Sequence, residues 1–241
     1  MLTPEEFAAL PGIPIRSPWD ERSASVPDLG CNFTPRALGM GACDFTPRAL
    51  AGMHGQLKVV GAGGPGTPLV KVIQIPDGEA GTAETIKVMK RLAIEGSQNP
   101  ALIQWAQAIV RGIGSKDYAA ELRAIHDFVQ SKVKYRLDPT ALEWIQAPEY
   151  TLLVRGEGDC DDQATLSVAL AMALGHPAGL VTVKADKSRP GEYSHVYAVL
   201  GARQGNDIKW FGSDTTQAGV PLGWEPPPER VFGKRIWPVG G

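Results

Sequence analysis

Hydrophobic positions fall into a regular rhythm only from Leu69 onward. Residues 69–75 (LVKVIQI) alternate apolar and polar side chains, the period-two pattern of a strand. The period then changes. From Thr82 to about Glu95, Ile86, Met89, Ala93 and Ile94 recur at helical spacing, and Gly96 ends the run. Asn99 followed by Pro100 is a helix start, with a capping side chain and a proline where its missing N–H costs nothing. That second helix is predicted to reach Arg111. A third, capped by Ser115, covers residues 116–134 and buries Leu122, Ile125, Phe128, Val129 and Val133. Residues 160–174 make a further helix, stopped by Gly175. Three strands follow, at residues 179–185, 194–201 and 207–212.

Helices first, then a central helix, then antiparallel strands is an α+β order, with helices packed on one side of a sheet. The first 68 residues do not share it. Prolines at 4, 11, 14, 18, 27, 35, 47, 65 and 68 break helices and remove ladder donors, so residues 1–68 read as an extended arm with a short helix near residues 4–10. The arm holds a duplication: Cys31-Asn-Phe-Thr-Pro-Arg-Ala-Leu recurs twelve residues later from Cys43 as CDFTPRAL. Two copies are too few for a solenoid, and they read as two similar turns. Residues 69–219 form the regular domain, and residues 220–241 a tail rich in Pro and Trp that packs along the domain or onto a partner.

Composition narrows the chemistry. Hydrophobic residues at 43% can bury a core, and a net charge of -2 provides no field to recruit nucleic acid. Three cysteines, Cys31, Cys43 and Cys160, are not a disulfide framework. Cys31 and Cys43 lack the further ligands of a metal site, and no cofactor is expected. The start, MLTPEEFAALPG, is acidic and broken by proline, unlike a secretory signal, and no apolar run is long enough to span a membrane.

The strongest chemical signal is Gly156-Glu-Gly-Asp-Cys-Asp-Asp-Gln-Ala. Gly158 allows a close approach, Asp159 can cap the helix, and Cys160 then falls in the first turn. Free amides and the helix dipole there favour an anion, so the thiol is expected to ionise more readily than a free cysteine. Asp161 and Asp162 suit the same helix end; their spacing is not that of a calcium loop, and capping and solvation account for them. His195 opens SHVYAVL, and His195, Tyr197 and Val199 are expected to face the helix. Asp214 ends the following strand. If the two strands form a hairpin, Asp214 comes beside His195 and can orient its ring. Cys160, His195 and Asp214 then have the order nucleophile, base and orienter. His126, beside Asp127 in a helix, reads as a surface or boundary residue, and His176 as part of a helix-exit turn.

The order GDCDDQA, SHVYAV and DTT resembles the transglutaminase-like superfamily, with its papain-like cysteine fold, over roughly residues 69–216. PEYTLL before the cysteine and Gly175-His-Pro-Ala after its helix add to the likeness. The resemblance implies Cys160 as nucleophile, His195 as general base and acid, and Asp214 as orienter. The Cys160 amide and the Gln146 side chain become candidate oxyanion donors, and Trp144 and Tyr150 candidates for a substrate groove. It implies acyl transfer to water or to an amine from a peptide, protein or peptidoglycan donor, in a bacterial cytoplasm. Compact members with such a helical lead-in also resemble ones encoded by bacteriophages and prophages. A virion component of a tail or baseplate, with protein partners bound through the arm, is the alternative expectation.

Overall fold

The computed structural model describes residues 56–62, 68–74, 76–138 and 143–240. Most of the expected arm, including the short helix near residues 4–10, the duplication, Cys31 and Cys43, lies outside these residues. Its last part does not run free of the domain. Gln56–Ala62 is a strand, β1, antiparallel to β2 (Pro68–Gln74) and parallel to β4 (Glu143–Gln146). Lys58, Val60 and their alternating neighbours carry a strand pattern that the flanking prolines and glycines obscured.

Three helices follow β2. α1 (Gly78–Ser97) starts one turn earlier than Thr82 because Asp77 already has the extended backbone of an N-cap. α2 (Pro100–Ile109) is capped as its sequence indicates, with the Asn99 side chain accepting from the Ala101 N–H at 2.9 Å. α3 (Tyr118–Lys132) is capped by Asp117 rather than Ser115, since Asp117 accepts from Ala120 N–H at 3.1 Å. Both residue types cap helices, and only the backbone decides which is used.

Beyond α3, a short strand β3 (Lys134–Tyr135) pairs in parallel with β5 (Glu157–Gly158). Between them come β4 and a helical turn, α4 (Pro148–Tyr150), which widens into a π-turn over Thr151–Arg155. Gly156, at φ 64°, ends that turn. α5 (Cys160–Ala173) is buried over its whole first twelve residues. A helix buried all round belongs in the middle of a fold, and α5 packs against α1 on one side and β7 on the other. Leu166 and Leu170 of α5 share one core with Met89, Leu102, Leu122, Ile125 and Ile145.

The main sheet has the order β8-β7-β6-β9 and is antiparallel throughout: β6 (Ala178–Lys184), β7 (His195–Gln204), β8 (Asp207–Ser213) and β9 (Gly233–Val239). The C-terminal tail is therefore part of the sheet. Pro238 is tolerated because β9 is an edge strand, and the Trp237 indole N–H donates to Thr182 Oγ1 at 2.9 Å. The face of β7 turned to α5 carries Val196, Ala198 and Leu200. Tyr197 and Val199 lie on the other face, in a smaller cluster with Val181, Val183, Trp210 and Ile236. This reverses the expected facing of β7. Alternation was legible in the sequence, but both sets are apolar, so hydrophobicity alone did not say which set met the helix.

Candidate active site

The site forms where the start of α5 meets the start of β7. Asp159 caps α5, its side chain accepting from the Asp161 N–H at 3.3 Å. Cys160 is therefore the first helical residue. The turn entering α5 is tight: a Cβ at Gly158 would lie 2.6 Å from the Asp162 side chain. The thiol is buried, at 1% exposure, and its sulfur accepts a hydrogen bond from the Val196 N–H. That contact places Cys160 one residue away from His195.

His195 opens β7. Its Nε2–H donates to Asp214 Oδ2 at 2.7 Å, which leaves Nδ1 as the proton-accepting nitrogen. The hairpin register explains the contact: Ala198 pairs with Ser213, and one further residue carries Asp214 past the end of β8 toward the start of β7. The other oxygen of Asp214 accepts from the Thr216 hydroxyl at 2.6 Å and the Thr216 N–H at 3.2 Å. Burial alone would raise the Asp214 pKa, but His195 and Thr216 outweigh it and hold the carboxyl below its ordinary value. Tyr197 stacks beside His195, with ring centroids 6.1 Å apart.

The electrostatics around Cys160 differ from the expectation of an easily ionised thiol. Burial is the main effect, and the carboxylates of Asp159, Glu143 and Asp214 add to it. Together they push the thiol pKa well up, against the Val196 N–H. The helix start does favour an anion, but here it is occupied by acids. Asp159, Asp161 and Asp162 are all buried rather than solvated, and Glu143 and Asp138 adjoin them. Burial pushes the pKa of all five upward, that of Asp138 to about 8. Oxygens of Asp159, Asp161 and Asp162 lie within 4.8 Å of one another, close enough among the described residues to share a ligand.

Gln146 is drawn into this cluster and away from the thiol. Its backbone N–H donates to Asp162 Oδ1 at 2.7 Å; its side-chain amide donates to Asp162 Oδ2 and to the Glu157 carbonyl at 3.3 Å. Both amide hydrogens are thus committed, and Gln146 is an anchor of α5 rather than a free oxyanion donor. Trp144 stacks under Lys58, with the ammonium 3.9 Å from the ring centroid, and its backbone N–H donates to Asp138. Tyr150 packs, partly buried, against the main core instead of lining a groove.

A residue that the sequence reading passed over stands closer. The β3–β5 pairing sets Tyr135 opposite Gly158, two residues before Cys160, and Tyr135 lies within electrostatic reach of the thiol. Tyr135 and Leu137 are each about half exposed, at 48%. Their only signal in the sequence was a pair of large apolar residues just beyond a helix. His126 was also missed. It is fully buried and bonded to the segment that carries Asp214.

Residues 103–215 match the model of the transglutaminase-like superfamily. Among solved structures, similarity extends to a candidate cysteine protease from Cytophaga hutchinsonii, with 20% identity and a TM-score of 0.37, covering 58% of this chain and 40% of that one. A candidate protease from Parabacteroides distasonis has 15% identity and a TM-score of 0.41, covering 67% and 34% respectively. Legionella pneumophila LapG has 16% identity and a TM-score of 0.37, covering 64% and 80%. The chain thus spans well under half the length of the first two. No curated protein matches the chain.

Proposed function

We propose that this chain, whose residues 103–215 match the transglutaminase-like superfamily, catalyses cysteine-dependent acyl transfer from peptide-like amides. The observation that carries this reading is the His195–Asp214 pair, bonded at 2.7 Å, at the strand end whose next residue donates to the Cys160 sulfur.

In the reaction, Cys160 Sγ attacks the amide carbonyl carbon while its proton passes to His195 Nδ1. The imidazolium gives that proton to the departing amine, and a thioester remains on Cys160. Water or a second amine then attacks the thioester, loses a proton to His195, and releases an acid or a new amide as the thiol is restored. Asp214 keeps the ring in the tautomer whose Nδ1 can accept a proton and stabilises its charged form. Because burial and the neighbouring acids raise the thiol pKa, Cys160 rests as a thiol, and His195 acts as a base during attack rather than holding a standing thiolate. With Gln146 committed elsewhere, the Cys160 backbone N–H at the helix start is the oxyanion donor. Tyr135 and Leu137 offer an apolar contact for the donor chain.

Cys160→Ala should abolish labelling of residue 160 by a small haloacetamide and all turnover of a peptide or peptidoglycan panel. Turnover retained in that variant would sink the assignment. Mass analysis of products with and without added amine separates hydrolysis from transfer. The virion alternative rests on the arm, most of which lies outside the described residues, and no helix among the described residues is long and apolar enough to cross a membrane.

A further inference from the structure

Asp214 is not held by its own strand. It follows the last residue of β8, and the segment from Ser213 to Val220 arches away from the sheet before the tail begins. A carboxylate on such a segment keeps its place only if something fixes both ends. Here the ladder pairing of Ser213 with Ala198 holds the near end and the Gly223 N–H, donating to the Gly212 carbonyl at 2.7 Å, draws the chain back beyond the arch, and α3, mainly through His126, ties both ends to one helix.

The His126 ring is fully buried, and both of its nitrogens are used. Nε2 lies 2.9 Å from the Val220 carbonyl oxygen. A carbonyl can only accept, so Nε2 carries the hydrogen. Nδ1 is then the acceptor, and the Ser213 hydroxyl, 3.0 Å away, donates to it. Ser213 immediately precedes Asp214, and Val220 closes the arch. One neutral imidazole therefore ties the two ends of the segment together. One turn along the same helix, Gln130 Nε2 donates to the Gln217 carbonyl at 2.7 Å and to the Val220 carbonyl at 3.1 Å. The middle and the far end of the arch are thus tied to the same helix face. Burial favours the neutral ring that this bonding needs.

We propose that His126 is a positioning residue, whose neutral imidazole clamps Ser213 and Val220 and thereby holds the Asp214 carboxylate against His195. The proposal rests on the triad reading above. It adds a link from α3, through the arch, to the orienting acid. A ring with this bonding would be needless if it only filled space, because a phenylalanine would fill the core without two polar atoms to satisfy.

The test uses the full chain with its imidazoles labelled with 15N. The sequence has four histidines, so each can be followed separately. Nuclear magnetic resonance should find His126 as the Nε2–H tautomer. In His126→Phe, the His195 ring should lose its single tautomer and become averaged, and haloacetamide labelling of Cys160 should slow about tenfold, the usual scale for losing such a supporting bond. His126→Gln, which keeps an N–H for Val220, should recover part of both signals. If His126→Phe does not fold, Ser213→Ala and Gln130→Ala carry the test, each removing one tie, with several-fold slower labelling expected. A folded His126→Phe, or the latter pair, with wild-type His195 tautomer and labelling rate overturns the clamp. His195→Ala separates the two readings: wild-type labelling in that variant means that the triad reading has failed, whereas lost labelling beside an unaffected His126→Phe means that only the clamp has.

Discussion

The two sides of the site are built on opposite principles. On the β7–β8 side every polar atom of Asp214 has a partner: one oxygen takes His195, the other takes Thr216 twice. On the α5 side, three carboxylate oxygens are buried without a donor, namely both of Asp161 and one of Glu143, beside the acceptor oxygen of Gln146. Satisfied and unsatisfied burial have opposite effects on ionisation. The first holds Asp214 charged. On the α5 side burial, joined by repulsion among neighbouring acids, drives Asp138, Glu143, Asp159, Asp161 and Asp162 toward their protonated forms, although Asp162 accepts twice from Gln146 and Asp138 accepts from Trp144. A catalytic orienter needs the first arrangement. The second favours shared protons over a full set of anions at the helix end beside Cys160, because five adjacent anions without counter-charge would be costly in low dielectric. Asp214 and the acids beside α5 thus differ through their surroundings, His195 beside the first and like charges beside the others, not through residue type.

The satisfied side is the more sensitive to break. Asp214→Asn preserves shape but allows the wrong His195 tautomer, and turnover should fall roughly 10³- to 10⁴-fold. A loss under tenfold, measured on any substrate found by the panel, would show that the pair is not the orienting element.

The unsatisfied side should be visible in stability. Each raised carboxyl binds a proton in the folded state that the unfolded chain has released, so its stabilisation is full below about pH 4 and is lost as pH rises through the folded values, about 8 for Asp138. Asp214 has the opposite sign: its contribution is present above about pH 4 and is lost as pH falls below it. Thermal melting across pH should therefore peak in mildly acidic buffer and decline toward pH 8, by about 1.4 kcal/mol per pH unit for each extra proton. Glu143→Gln should flatten the decline and stabilise the protein at pH 8. A melting curve flat from pH 5 to 8 would mean that the acids are not protonated.

Gly158→Ala tests the joint between the sides, since the new Cβ would overlap Asp162. A loss of about 1–3 kcal/mol is expected from chemical denaturation. Tyr135→Ala should change stability by no more than about 0.5 kcal/mol, as for an exposed residue, while raising KM for an apolar peptide donor. Unchanged KM would remove Tyr135 from the donor-binding surface.

Much of this was legible in the sequence. The helix starts at Asn99 and Asp159, the central helix after Cys160 and the order of Cys160, His195 and Asp214 all followed from local rules, because caps, periodicity and turn residues act over a few positions. The errors were non-local. Neither β1 nor β9 was read as a strand: β9 is an edge strand, which needs little sequence pattern when a neighbour supplies the ladder, and β1 lies between β2 and β4 in a stretch interrupted by prolines and glycines. Gln146 was expected near the thiol, yet Asp162 took it. His126 was expected near the surface, yet it is buried and bonded to both Ser213 and Val220.

By itself, then, the sequence determined most of the helices and strands and singled out Cys160, His195 and Asp214 as candidates, because helix capping and hydrophobic period are properties of a short stretch of chain. Only the tertiary structure decided which acid is ionised, which face of β7 meets α5 and what holds Asp214. Those depend on burial and on partners dozens of residues away, such as His126 from Val220, and no local pattern encodes where a distant donor will arrive.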